Sequence, residues 1–192
     1  MKWLKVAPVI ISLAALALPA ERASAQTIQT FEDFSPCNNS SGNVGLYGSV
    51  NYANHWTCYS VPQNPYTPHS GTNRVYTFDA SAPFLFTGGP VTFDGAWFAG
   101  MTSTSVGFQL LLSGATVWTS GTLFTSAIPT FLSSGYSGMV DEVLVQSNEP
   151  DDYIMDDVTF NSSTVPEPAS MTLLATGLVG VFGAARRRFS ST

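Results

Sequence analysis

The chain is short of positive charge where a folded domain would carry it, and that shortage excludes several partners at once. Of seven Lys and Arg in 192 residues, Lys2, Lys5 and Arg22 precede Gln26 and Arg186, Arg187 and Arg188 follow Ala185, which leaves Arg74 alone between them. Eleven carboxylates stand against it: Glu32, Asp33, Asp79, Asp94, Asp141, Glu142, Glu149, Asp151, Asp152, Asp156 and Asp157. The central region therefore has a formal charge near −10. A phosphate backbone is neutralised by Lys and Arg, so nucleic acid is not a partner. Neutral glycans and divalent cations suit such a surface better than acidic polymers. The plainer account of most of these carboxylates is solubility outside the cell.

Histidine and cysteine are equally scarce. His55 and His69 are the only histidines, both in polar segments, and neither Gly-x-Ser-x-Gly nor His-Glu-x-x-His occurs. Asp141 and Glu142 are adjacent in a strand-like run and point to opposite faces, so they cannot flank one glycosidic bond unaided. No catalytic residue is assigned and the chain is not expected to be an enzyme. Cys37 and Cys58 are the only cysteines, without Cys-x-x-Cys spacing. An even count in an exported region favours a Cys37–Cys58 disulfide, and closing a loop of about 20 residues stabilises by about 3 kcal/mol in the chain-entropy model. The alternative is two buried free thiols.

The termini are addresses rather than parts of a fold. Lys2 and Lys5 form a positive n-region, Val6 to Leu18 an apolar h-region and Ala23-Ser24-Ala25 a small-residue cleavage site, so residues 1–25 read as a secretory signal peptide and the mature chain begins at Gln26. At the other end stand Pro166-Glu167-Pro168, a 17-residue uncharged run from Ala169 to Ala185, and Arg186-Arg187-Arg188. As a helix that run is about 25 Å long, slightly less than the roughly 30 Å hydrocarbon core of a bilayer. It would cross a membrane only just, with the arginines held on the cytoplasmic side. Gly177, Gly180 and Gly183 give it a small-residue face for close helix packing, a spacing that also arises by chance in a Gly/Ala-rich helix.

This order of Pro-Glu-Pro, short hydrophobic helix and Arg cluster resembles the PEP-CTERM protein-sorting signal, here residues 166–192. The resemblance implies a bacterial exported protein, membrane-anchored before processing by an exosortase and then delivered to the cell surface or extracellular matrix. The alternative is an ordinary single-span tail anchor.

Between the ends lie about 140 residues, enough for one domain with one core. No stretch sustains a 3.6-residue amphipathic period, and short aromatic and β-branched runs separated by Gly, Ser, Asn and Pro predict an antiparallel β-sandwich over residues 26–160 with a linker at 161–165. Candidate strands are Thr27–Asp33, Val44–Tyr52, Arg74–Asp79, Phe84–Phe86, Val91–Phe98, Ser105–Leu112, Ala115–Thr119, Val140–Gln146 and Tyr153–Phe160. Ser113-Gly114 reads as a two-residue hairpin turn; Pro62–Pro68 and Asn148–Asp152 read as loops. In the last strand, strict alternation puts Ile154, Asp156, Val158 and Phe160 on one face. If that face meets the core, Asp156 is buried and needs hydrogen bonds, a cation or a metal.

Phe31-Glu32 at the start, Phe93-Asp94-Gly95-Ala96-Trp97-Phe98 in the middle and the closing Tyr153 to Phe160 strand resemble the galactose-binding-like jelly rolls of carbohydrate-binding modules. The resemblance implies a non-catalytic module for exopolysaccharide or another glycan. It also implies a structural calcium ion shared by the first and last strands, with Glu32 and Asp156 or Asp157 as ligands. The alternative for Asp156 and Asp157 is that they cap backbone amides. Tyr47, Tyr52, Trp56, Tyr59, Tyr66, Trp97, Trp118 and Tyr136 supply rings for stacking on sugars, although most will be core. Trp56, in the polar stretch beside Cys58, is the ring expected to be exposed for ligand. A structural protein with protein partners, or a glycan hydrolase, are the competing functions.

If the three C-terminal parts act as one signal, replacing Pro166, Glu167 and Pro168 together by alanine should block C-terminal processing and leave the protein in the membrane. Cell fractionation with intact-mass analysis reads the outcome, and unchanged processing and delivery would refute it.

Overall fold

The computed structural model describes residues 25–37 and 41–162, which belong to one compact unit spanning Ser24–Ser163. The signal peptide (all but Ala25), the sorting residues Pro166, Glu167, Pro168 and Arg186–Arg188, and the apolar run 169–185 lie outside the described residues. Among those described, no helix is long and apolar enough to cross a membrane.

The described residues form strands β1 (Ala25–Gln29), β2 (Ser41–Asn43), β3 (Leu46–Tyr47), β4 (Val50–Asn51), β5 (Thr57–Tyr59), β6 (Arg74–Tyr76), β7 (Ser81–Phe86) and β8 (Val91–Gly100). They continue with β9 (Ser105–Leu112), β10 (Ala115–Thr119), β11 (Leu123–Phe124), β12 (Thr130–Ser133), β13 (Met139–Val140), β14 (Glu142–Ser147) and β15 (Tyr153–Ser162). Single 3₁₀ turns occupy Ser35–Cys37 and Pro150–Asp152. One sheet runs β12-β8-β15-β6-β5-β2, with β1 on β15 and β13 on β8; the other runs β10-β9-β14-β7-β4-β3, with β11 on β9. All pairings are antiparallel, so the architecture is a two-sheet β-sandwich.

Alternating side chains build the core from both inner faces. Val106, Phe108 and Leu110 of β9, Val143 and Val145 of β14, and Ala82, Phe84 and Phe86 of β7 face Phe93, Ala96 and Phe98 of β8 and Tyr153, Met155, Val158 and Phe160 of β15. Their rings meet edge-to-face, as in Phe93–Phe108 at 4.9 Å and 85°. The expected hairpin joins β9 to β10, and Ser113 and Gly114 both adopt positive φ (53° and 77°), which matches the twist of the flanking strands. Cys37 and Cys58 are bonded, both fully buried, with Cα atoms 5.2 Å apart.

Several expectations are corrected. The first strand ends at Gln29 rather than Asp33, and Val44–Tyr52 is broken into β3 and β4 around a turn. β2, β5, β11 and β12 lack a sequence signal strong enough to be read. β15 continues to Ser162, through Asn161 and Ser162 of the expected linker.

The most consequential correction concerns β15. Against β8 its register runs Asp156↔Trp97, then Thr159↔Gly95, then Phe160↔Phe93. An extra residue in β15 is thus matched by an extra residue in β8, and two bulges in opposite strands restore the register. Asp157 has φ 46° within its bulge. Gly95, at φ 146°, packs so close to the Leu132 carbonyl of β12 that a Cβ would overlap it. Alternation therefore changes phase between Asp156 and Val158. Val158 and Phe160 share the core with Tyr153 and Met155, while Ile154 and Asp156 lie on the outer face. Asp156 is buried, as expected, but from the other side.

Candidate functional site

What covers Asp156 is the loop between β5 and β6, residues 60–73. Asp156 Oδ2 accepts the backbone N–H groups of His69 (2.8 Å) and Ser70 (2.9 Å), and Oδ1 that of Asp157 (2.8 Å). Asp157 Oδ1 accepts the Ser70 hydroxyl (2.7 Å), and its Oδ2 lies 2.5 Å from His69 Nδ1. Glu32 Oε1 accepts the next two amides, Thr72 (2.9 Å) and Asn73 (2.6 Å), and the Asn73 side chain donates to the Phe31 carbonyl (2.7 Å). Gly71 (φ 51°) lies against the Glu32 carboxylate, where a Cβ would collide with it. Asp156 and Glu32 thus bind one end of the loop through its backbone N–H groups, and Asp157 through the Ser70 hydroxyl and the His69 ring.

Arg74 holds the other end. Its guanidinium donates to the Val61 carbonyl and to the Thr72 carbonyl (3.1 Å), and lies 4.9 Å from the centroid of the Tyr59 ring. Only 1 % of Arg74 is exposed, so the sole Lys or Arg among the described residues contributes little positive charge to the surface. Burial lowers its pKa, opposed by Tyr59 and Asp156.

The carboxylates expected to hold calcium are therefore brought to one loop, but Asp156 and Glu32 receive amide hydrogens and Asp157 meets the Ser70 hydroxyl and the His69 ring. A calcium ion takes six to eight oxygens converging on one point. Among the described residues no group of three or more His, Cys, Asp or Glu forms such a set. Positive hydrogens already aimed at these oxygens do not fit a cation in the same place, so the calcium expectation rests on resemblance alone. The neighbourhood of Ser70, His69 and Asp157 is not a catalytic triad either. Hydroxyl and imidazole both turn to the carboxylate rather than to each other, so the imidazole is not placed to take the serine proton.

The anchored loop walls a cleft of about 370 Å³ on the outer face of the β15-containing sheet. Tyr59 from β5, Tyr76 from β6 and Ile154 from β15 contribute to it with Phe78; Gln63 and Tyr66 come from the loop, and Asp151 and Asp152 from the 3₁₀ turn that leads into Tyr153. The rings of Tyr59 and Tyr76 meet at 6.4 Å and 85°, those of Tyr76 and Phe78 at 5.4 Å and 82°. Phe78 is 67 % exposed. The Tyr66 hydroxyl donates to Asp152 Oδ1 (3.3 Å). Its pKa is raised by burial, then by the charges of Asp152 and Asp151.

Trp56 does not serve this cleft. It is fully buried, donates its indole N–H to the Pro83 carbonyl (3.0 Å) and packs edge-on against Phe84 and Tyr153. The reason is period-two alternation: Trp56 shares the inward face of Cys58, two residues on. Of the other rings read as candidates, Tyr59 and Tyr66 line the cleft, Tyr52 is core, Trp97 stacks on His69 at 3.4 Å, and Trp118 stacks on Tyr136 at 5.8 Å. Tyr76, Phe78, Gln63, Asp151 and Asp152 escaped the reading. Tyr76 and Phe78 had a signal, since Val75 and Thr77, which alternate with them, are apolar or small and turn inward.

Residues 164–188 match the PEP-CTERM protein-sorting motif. No curated protein matches the chain. Among solved structures, a family 29 carbohydrate-binding module variant complexed with mannohexaose is 12 % identical with a TM-score of 0.38, covering 73 % of this chain and 94 % of that one. The family 29 carbohydrate-binding module itself is 11 % identical with a TM-score of 0.39, covering 77 % and 97 %.

Burial pushes the Asp156 carboxyl up from 3.8 to about 7, with Asp157 adding to the rise and the amides of Ser70, Asp157 and His69 opposing it. A folded-state pKa above the unfolded one means that the folded state holds the proton longer. The associated stability is complete below about pH 4 and is lost as pH rises through about 7. Melting temperature measured against pH should therefore fall across that window in the wild type relative to Asp156→Asn. A difference between the two that does not change with pH would refute this assignment.

Proposed function

We propose that this chain is an exported bacterial protein, sorted through its C-terminal motif by an exosortase to the cell surface or extracellular matrix, whose jelly-roll sandwich is a non-catalytic glycan-binding module. The carrying observation is the cleft: flat rings of Tyr59, Tyr76 and Phe78 beside hydrogen-bonding Gln63, Tyr66, Asp151 and Asp152. Sugar rings present an apolar face and an equatorial belt of hydroxyls. Aromatic faces with polar groups at the rim complement both. The competing structural role would need no such cleft, and a hydrolase would need a separated acid and base flanking one bond, whereas the cleft's two carboxylates are the adjacent Asp151 and Asp152, the second holding Tyr66.

In binding measurements on the mature exported protein with an array of oligosaccharides, Tyr76→Ala and Phe78→Ala should each weaken the glycan bound by wild type about tenfold, a loss of about 1.4 kcal/mol. Both side chains lie outside the core cluster, so melting temperature should change little. Absence of any glycan binding by wild type would defeat the reading.

Calcium at Glu32, Asp156 and Asp157 remains a proposal carried by the resemblance, and it is separable from glycan binding. An ion held there by the folded state alone should raise the melting temperature in about millimolar calcium over that in chelator, whereas carboxylates that only anchor the loop require no metal and the two curves would then coincide. A higher melting temperature in calcium, abolished by Asp156→Ala, would establish the ion instead.

A further inference from the structure

The ionisable groups lining the cleft are of one kind. Asp151 and Asp152 stand among the phenols of Tyr59, Tyr66, Tyr76 and Tyr153, and no Lys, Arg or His lines it. Arg74, which reaches the Tyr59 ring, is withdrawn beneath the loop and donates to carbonyls there. Asp151 is exposed, and Asp152 accepts the Tyr66 hydroxyl. Both carboxylates line the cleft beside that phenol, and after burial both raise its pKa. Aromatic faces carry negative quadrupoles, so the rings of Tyr59, Tyr76 and Phe78 add to the potential instead of opposing it.

Resting on the glycan-binding reading, we propose that the cleft selects glycans bearing protonated amines, that is, polymers containing unacetylated amino sugars. A neutral glycan would displace water from Asp151 and Asp152 without returning a charge, and an anionic one would meet repulsion. An ammonium group on a pyranose lets the ring face cover Tyr76 or Phe78 while the nitrogen reaches a carboxylate. The charge-assisted hydrogen bond so formed is stronger than that to a hydroxyl.

The test uses the mature exported protein in calorimetry with four probes: a glucosamine oligomer with its amines protonated, its fully N-acetylated counterpart, a glucose oligomer of matched length, and oligolysine. The glucosamine oligomer should bind at least about tenfold more tightly than the acetylated one. Asp151→Asn should erase most of that preference, and salt well above 0.1 M, where the Debye length is about 10 Å, should shrink it. Asp151 is chosen because it is exposed, whereas Asp152 also holds Tyr66. If the salt response appears without any effect of Asp151→Asn, the carboxylate assignment is overturned. Equal binding of the amino, acetylated and glucose oligomers overturns the amine selectivity and leaves glycan binding standing. Binding of none of the three sugars removes the glycan reading itself. Oligolysine bound as tightly as the glucosamine oligomer overturns the proposal in favour of recognition of charge alone.

Discussion

The double aspartate in the bulge of β15 is the constraint on which the rest of the molecule hangs. β15 lies between β8 on one side and, on the other, β6 at Met155 and β1 from Val158 to Ser162. The bulge falls where that second edge passes from β6 to β1. A regular strand would keep Asp156 in phase with Val158 and Phe160 and drive a carboxylate into an interior of phenylalanines. The extra residue instead turns both acids outward, and the compensating residue in β8 keeps the two strands in step beyond it. Burying a carboxylate is costly, and three backbone N–H groups on Asp156 offset that cost by taking the place of water. The same bonds fix a turn whose amides have no strand partner. Each side satisfies the other's unmet polar groups.

Charge economy follows from this arrangement. A domain with one arginine could have used it as a counter-ion for Asp156, yet the guanidinium is directed at the Val61 and Thr72 carbonyls, across the mouth of the loop. Amide dipoles neutralise the acids, and the acids bind the segment that carries Gln63 and Tyr66. The cleft is therefore built from backbone held in place by carboxylates, with positive side-chain charge kept away from its lining. That the lining carries Asp151 and Asp152 with no Lys or Arg beside them follows in part from Arg74 being engaged by the loop's carbonyls.

Much of the sandwich was legible because the sequence obeys simple periodicities. β9, β10 and their two-residue turn stand at the residues read from alternation and Ser113-Gly114, and the paired cysteines meet inside. The same rule misled at β15, where a bulge changes the phase without any proline or glycine in that strand to announce it; the glycine is at position 95, in its neighbour. Trp56 was misplaced by the opposite fault. Its polar neighbours suggested a loop, while counting two residues back from an inward Cys58 would have put it in the core. Asp151 and Asp152 are invisible as site residues in sequence. They reach the cleft only because a 3₁₀ turn leads into β15 next to a loop that joins β5 to β6 some 80 residues earlier.

A cleft of about 370 Å³ is near the lower end of the roughly 300–1,000 Å³ typical of small-molecule sites and holds a short stretch of polymer at most. Open rims and few polar groups make one such contact weak and readily reversed. On the proposed reading, weakness at a single site is not a defect where copies of the protein share one surface. A repeating polymer meets neighbouring clefts at high effective concentration, and avidity can exceed the affinity of one site by about 10² to 10⁴ without further contacts. On the proposed reading, the sorting signal and the shallow cleft are complementary. The first supplies the density that the second requires, and a tight monovalent pocket would hinder the sliding and exchange that a polymer network allows.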